Sequence, residues 1–254
     1  MCGIAGYHGL PADPALLERM NAHQQHRGPD GDGICVDGPC GLAHRRLSII
    51  DIAHGQQPMD TADGRYAIAY NGEVYNYLDL RGELEALGRT FTTDSDTEVV
   101  LQAFAQWGAD AFDRFNGMFG LAIWDRHEQR LPLARDHFGI KPLYVAMVPN
   151  PSGEGEALLF SSEIKPILAS GLYEKRVNDR SVYRYLRFRA HEDGTETFFE
   201  GIERLAPGER LEADANGIRR RMFTRLKEEL LELAYALNPD DPLVCERRAV
   251  ARAD

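Results

Sequence analysis

The chain has 254 residues, of which 43% are hydrophobic and 27% charged. These values suit one large globular domain, or one domain with a short appendage, around a sizeable core. Its 29 Lys and Arg against 40 Asp and Glu give a formal charge of −11, which argues against nucleic-acid binding, a function that needs a basic patch. No apolar run approaches the roughly 18 residues of a membrane span. The N-terminus lacks the basic region of a signal peptide, so a cytoplasmic protein is expected.

In chain order, a short apolar run predicts a strand over 3–8. A helix follows over 14–25, with Leu16, Leu17 and Met20 on one face. Strands are predicted over 33–37, 41–50 and 66–71. Helices come next, over 78–88 (Leu80, Leu84, Leu87) and over 96–107 (Val99, Val100, Ala103, Phe104, Trp107). Ser95 through Glu98 reads S-x-x-E, a capping box that starts the latter helix. Asp96 falls in its first turn, where the helix dipole favours a carboxylate. Strands return over 119–124, 129–134, 142–148 and 157–161, and residues 149–156 form a turn-rich loop. Residues 201–218 read as a surface hairpin or linker, with turns at Pro207-Gly208 and Asn216-Gly217. Residues 222–237 predict an amphipathic helix, with Phe223, Leu226, Leu230, Leu233, Ala234 and Leu237 on one face. The charged tail 238–254 is expected to be disordered. Many short strands with a few helices point to an α+β fold, or two sheets with helices packed over them.

The four cysteines, Cys2, Cys35, Cys40 and Cys245, form no CxxC pair and fit no zinc ribbon. No metal site is expected. Cys2 stands apart, because cells usually remove an initiator methionine that precedes a small residue. Cys2 would then carry a free α-amine whose ordinary pKa is about 7.7–8.0. Such an amine can act as base toward its own thiol, and the thiolate can attack a carboxamide carbon. Read singly, Cys2 equally starts a buried strand, Arg46 is a surface charge, Asp96 a helix-cap residue and Asn71-Gly72 a plain hairpin signal.

The segments MCGIAGY, HRGPDGDG, LAHRRLSIID, YNGEVYNY, TDSDTEV, FNGMFGLAIWD and ARDHFGIKPLY follow one another in order. Together they resemble the glutaminase domain of glutamine-hydrolysing asparagine synthetase, a class II amidotransferase of the N-terminal-nucleophile (Ntn) hydrolase superfamily. The resemblance runs from Cys2 to about Gly217 and takes in SSEIKPIL and GIERLAPGERL. It implies a four-layer α-β-β-α sandwich of two antiparallel sheets. It also implies hydrolysis of L-glutamine to glutamate and ammonia through a Cys2 thioester, with no cofactor. By the same resemblance, Asn71 and Gly72 form the oxyanion hole, Arg46 pairs with the substrate carboxylate and Asp96 holds its ammonium. Glu73 helps place the substrate, and Arg27 and Gly28, with His26, Pro29 and Asp30, belong to a loop over the bound glutamine. Trp124, Phe115, Phe119 and Met118 read as core, Arg135 and Asp136 as a pair that shapes a turn, and His44 as a packed histidine.

The sequence departs from full-length synthetases after residue 221. No Ser-Gly-Gly-x-Asp-Ser loop for pyrophosphate is found, so the expected domains are an amidotransferase unit over 1–217 and a helix with tail over 218–254. The ammonia would pass to a synthetase domain or subunit, and helix 222–237 would dock a partner or a second copy if it does not pack on its own domain. Two other readings stand beside this one: a silent glutamine-binding regulatory subunit, and an amidotransferase of another biosynthetic branch.

Overall fold

Strand β5 (Tyr66–Val74) shows how the layers arise. Its period-2 alternation sends Ala67 and Ala69 to one face and Ile68 and Tyr70 to the other, and all four are buried. A strand buried on both faces must lie between two packed layers. In the computed structural model, which describes residues 1–52, 54–153, 155–190, 194–224, 232–233 and 236–238, that is where it lies.

Two six-stranded antiparallel sheets stack face to face. The first runs in the order β10 (Ile202–Arg204), β8 (Tyr144–Pro149), β9 (Glu156–Ser161), β1 (Gly3–His8), β3 (Cys40–Arg46), β2 (Gly31–Asp37). The second runs β12 (Gly217–Met222), β11 (Glu209–Asp214), β7 (Leu131–Arg135), β6 (Gly117–Asp125), β5, β4 (Met59–Asp60). Ile4, Leu42, Ala67, Ala69, Ala122, Trp124, Leu133 and Phe160 fill the seam between the sheets. Outside the first sheet, α1 (Pro14–Ala22) and α4 (Ile164–Ala169) pack Leu16, Leu17, Met20 and Ile167 against Tyr7, Ala43 and Leu159. Outside the second, α2 (Tyr77–Ala86) and α3 (Asp96–Trp107) pack Leu80, Leu84, Val99, Val100 and Phe104 against Ile68, Tyr70, Leu121 and Ile123. This is the four-layer α-β-β-α sandwich. No helix among the described residues is long and apolar enough to cross a membrane.

Several expectations need correction. The strand expected over 41–50 stops at Arg46, where the chain turns into a loop that carries Ile49 and Ile52 exposed. The helix expected over 14–25 ends at Ala22, and Gln25–Arg27 form a separate 3-10 turn. Leu87 lies beyond the end of α2 and is exposed. The capping box forms by half. Ser95 Oγ accepts from the Thr97 N–H at 3.1 Å, but Glu98 turns away and accepts from the N–H and hydroxyl groups of Thr92 and Thr93. A further helix, α5 (Asp179–Phe188), buries none of its residues fully.

The region after Gly217 begins as strand. The Asn216-Gly217 turn joins β11 to β12, and β12 pairs through Met222 opposite Glu209. Phe223 then packs on Phe112 and Phe119, at ring separations of 5.8 and 6.3 Å. The sandwich thus continues past the expected boundary at Gly217, and Met222 is not helical. Most of the remaining 222–237 segment and all of 239–254 lie outside the described residues.

Candidate active site

The inward alternation of the strands leads to one end of the seam. On β3, Leu42 faces the second sheet, and His44 and Arg46 follow on the same face. His44 reaches across to the second sheet, its Nε2 3.1 Å from the Tyr70 carbonyl oxygen. A carbonyl can only accept, so Nε2 carries the hydrogen and Nδ1, which has no partner among the described residues, is bare. Burial, aided by the charge of Arg46, lowers the His44 pKa to about 4. His44 is a packed, neutral histidine between the sheets. On β5, Asn71 continues the inward row of Ala67 and Ala69. Ahead of β1, Cys2 continues the row of Ile4.

These rows meet in one cavity lined by Cys2, Arg46, Asn71, Gly72, Glu73 and Asp96. The Cys2 thiol is half-buried against Leu47, whose N–H donates to Sγ at 3.4 Å and whose carbonyl oxygen lies 3.6 Å from it. Asn71 is 1% exposed, and its amide Nδ2 is buried without a hydrogen-bond partner among the described residues. A buried amide donor left unpaired costs stability, so this one is available to an acceptor entering the cavity. Beside it, Gly72 is pressed on β6: a Cβ there would meet Met118 O at 2.5 Å and Phe119 Cα at 2.8 Å, so no side chain fits.

Two side chains of opposite charge also line the cavity. Arg46 is 5% exposed, and its guanidinium is braced by the loop after β3. Nη1 donates to Ile52 O at 2.8 Å, and Nη2 to Asp51 O at 2.6 Å and Ile50 O at 3.3 Å. Three of five N–H groups are used, which leaves donors for a carboxylate. Asp96 Oδ2 accepts from the Tyr70 hydroxyl at 2.9 Å and from the Val74 N–H at 3.1 Å. Burial raises the Asp96 pKa above the usual carboxylate value, against these hydrogen bonds.

Arg27 and Gly28 do not line the cavity. They support it from behind. Arg27 donates from Nε to the Cys2 carbonyl oxygen at 2.9 Å and from Nη1 to Glu163 Oε1 at 3.0 Å, and its Nη2 is buried without a partner among the described residues. Gly28 lies flat on β3, where a Cβ would meet the Arg45 carbonyl carbon at 2.4 Å. Asp30 Oδ2 accepts from the Ser48 N–H at 2.8 Å and ties this turn to the loop after Arg46.

Sequence reasoning left Gln57, Thr97, Met118 and Lys141 without a role in the cavity they help line. Gln57 Oε1 accepts from the Tyr70 N–H at 2.7 Å, and its amide nitrogen reaches Thr97 Oγ1 at 3.3 Å. Met118, expected in the core, is only half-buried. Trp124, Phe115 and Phe119 are core as expected. Arg135 and Asp136 do shape a turn, each by binding backbone. Asp136 accepts from the N–H groups of Phe119, Phe138, Ile140 and Lys141, and Arg135 donates to the carbonyls of Lys141, Leu205 and Gly139.

A thiol, an amide donor unpaired among the described residues, a cation and an anion that line one cavity suit attack on the carboxamide of an α-amino acid. Comparison with known proteins gives the same direction. The sequence model of the family described as "Glutamine amidotransferase domain" matches residues 1–224. Asparagine synthetase [glutamine-hydrolyzing] 1 of Bacillus subtilis is 38% identical over 214 residues, which covers 82% of this chain and 33% of that protein. Asparagine synthetase [glutamine-hydrolyzing] 3 of the same organism is 36% identical over 224 residues, covering 86% and 36%. Among solved structures, the glutamine phosphoribosylpyrophosphate amidotransferase of B. subtilis matches with a TM-score of 0.65 at 21% identity, over 88% of this chain and 50% of that one. That likeness is one of fold. The chain spans about a third of the length of the curated relatives it matches.

Proposed function

This chain belongs to the glutamine amidotransferase domain family, with the fold of the Ntn amidotransferases and homology to glutamine-hydrolysing asparagine synthetases, and on that premise we propose that its cavity hydrolyses L-glutamine to glutamate and ammonia with Cys2 as nucleophile. The observation that carries the reading is that the Cys2 thiol and the Asn71 amide, unpaired among the described residues, line one cavity with Arg46 and Asp96.

Met1 is 57% exposed, within reach of an aminopeptidase. Its removal turns the Cys2 amide nitrogen into an amine. The Met1 amine, one residue ahead, has a pKa lowered chiefly through burial. In the first step the Cys2 S–H proton passes to the α-amine and Sγ bonds to the side-chain carbonyl carbon of glutamine. The developing oxyanion receives the Asn71 amide and the Gly72 N–H. The C–N bond then breaks, and ammonia leaves with the proton from the α-ammonium. Water adds to the γ-glutamyl thioester with the α-amine as base, and glutamate departs as the thiol re-forms.

Arg46 takes the substrate α-carboxylate and Asp96 its α-ammonium, with Glu73 beside them. A ligand lacking either charge leaves a buried partner unpaired and is rejected. Arg27 and Gly28 act one step back, by holding the Cys2 backbone and the turn behind it. The ammonia is passed to a synthetase unit, in keeping with the names of the relatives. The free thiols of Cys2, Cys35 and Cys40 fit the reducing cytoplasm, where we place the protein.

The test is the stoichiometry of glutamate and ammonia released from L-glutamine without ATP, with 4-aminobutanamide, which lacks the α-carboxylate, and glutaric acid monoamide, which lacks the α-amine, as comparison. Equal release from glutamine alone supports the reading. Turnover of amides lacking the α-amine or α-carboxylate at a similar rate contradicts it.

A further inference from the structure

Strand β1 pairs with β3 from Gly3 onward and with β9 from Ala5. Cys2 lies one residue ahead of the strand, outside its ladder. Side chains hold its main chain instead. The Cys2 carbonyl accepts from Arg27 Nε at 2.9 Å, and Arg27 Nη1 donates to Glu163 Oε1 at 3.0 Å. Ser162, the residue before Glu163, donates its N–H to the Ile4 carbonyl at 2.8 Å and accepts the Ile4 N–H on Oγ at 3.0 Å. Cys2, Arg27, Glu163, Ser162 and Ile4 thus close a hydrogen-bonded ring at the start of β1. Gly3 lets it close tightly, since a Cβ there would meet Gln24 Oε1 at 2.7 Å and Arg27 Cδ at 3.3 Å.

The ring is poorly suited to a role in stability alone. The Arg27 side chain is 9% exposed and that of Glu163 22%, and taking both charges out of water offsets much of their attraction. Arg27 Nη2 is buried without a hydrogen-bond partner among the described residues, a further cost. The strand itself is already fixed along its whole length by β3 and over Ala5–His8 by β9. What the ring fixes, and the ladder does not, is residue 2.

We propose that Glu163 is a positioning residue for the reaction, whose reach sets Arg27 on the Cys2 carbonyl and so holds the main chain of the nucleophile in place. This rests on the reading of Cys2 as the nucleophile. The amine, the thiol and the carbonyl of Cys2 share one Cα, so a shift of the carbonyl carries the other two with it. The thiol meets Leu47 at 3.4 and 3.6 Å, and sulfur is too weak a donor and acceptor for these contacts to fix it alone. A misplacement of about 1 Å at a reacting group can cost roughly 10²-fold in rate. The exposed His26 ring meets the same Glu163 oxygen at 2.9 Å and steadies it from the solvent side.

The experiment compares the full chain with Glu163→Gln, which keeps the reach of the acceptor and loses its charge, and with Glu163→Asp, which keeps the charge and is one methylene shorter. The kcat for glutamate release should stay within about threefold of the parent in Glu163→Gln and fall at least about tenfold in Glu163→Asp, with KM unchanged in both. Hydrogen exchange of the Ile4 amide, read without glutamine, reports the ring itself. It should speed up at least about tenfold in Glu163→Asp and stay parental in Glu163→Gln.

A kcat in Glu163→Asp within about threefold of the parent overturns the proposal. So does an equal fall in both variants, which would make the charge and not the reach the agent. A rise in KM alone would put Glu163 on the substrate, and a fall in kcat with unchanged Ile4 exchange would mean that it acts by another route. Failure of Glu163→Asp to fold would make the ring structural and overturns the proposal as well. Failure of the glutaminase reading is seen separately, as glutamate release that survives in Cys2→Ala, and the Ile4 exchange still decides whether Glu163 holds the start of β1.

Discussion

The Tyr70 hydroxyl donates to Asp96 Oδ2 at 2.9 Å, so a core residue of β5 fixes the carboxylate in the first turn of α3. Asp96 is buried at a cost to stability. Its folded pKa lies above the unfolded one, because burial disfavours the charged form. A carboxyl raised in this way contributes stability below its unfolded pKa and loses it as pH rises through the folded value.

Asp96→Asn should therefore unfold at higher urea than the parent near neutral pH, and the difference should vanish under acid conditions where Asp96 is protonated in both states. Loss of a charged hydrogen-bond partner for the substrate ammonium should lower kcat/KM by roughly 10- to 150-fold. Paired urea titrations at the two pH values, with steady-state kinetics, check both statements.

His44 carries the opposite sign. Its folded pKa of about 4 lies below the ordinary value of 6.5, through burial and the nearby Arg46 charge. The neutral ring is favoured in the fold, so its contribution is present above about pH 6.5 and declines as pH falls toward 4. The decline amounts to about 3 kcal/mol. His44→Gln should flatten this part of the urea-midpoint profile between those pH values, whatever its effect at neutral pH.

Asn71→Ala removes a buried amide donor of the cavity that has no hydrogen-bond partner among the described residues. Its kcat for glutamate release should fall about 10²- to 10³-fold, with KM little changed. Because the donor is unpaired in the free protein, the variant should lose little stability. A large loss in both would instead make Asn71 a structural residue, and thermal unfolding beside kinetics separates the two.

Much of this was legible in the chain. The short apolar run over 66–71 announced a strand, while the four-layer sandwich was implied only by the resemblance of the ordered motifs. The site residues were legible only as ordered motifs, because Arg46 or Asp96 taken singly looks like any surface or cap residue. What was missed has physical causes. Leu47, Ile49 and Ile50 read as strand by apolarity, but Arg46 turns on the carbonyls of Ile50, Asp51 and Ile52 and folds that segment back as the cavity wall. Asp51, with φ of 45°, supplies the left-handed turn it needs. Glu98 carried the capping-box signal but found better donors in Thr92 and Thr93. Lys141 sat within the ARDHFGIKPLY motif with no feature in its neighbours to say that it is buried and lines the cavity, a tertiary fact that no local pattern reports.

The account turns on Cys2, and the most direct measurement is glutamate release by Cys2→Ala beside the parent, with the intact mass of both. The parent should lack Met1 and turn over glutamine without ATP, and Cys2→Ala should lose at least roughly 10⁴-fold in kcat while binding glutamine still. Retention of turnover within about tenfold of the parent would contradict the account, because no other thiol lines the cavity among the described residues.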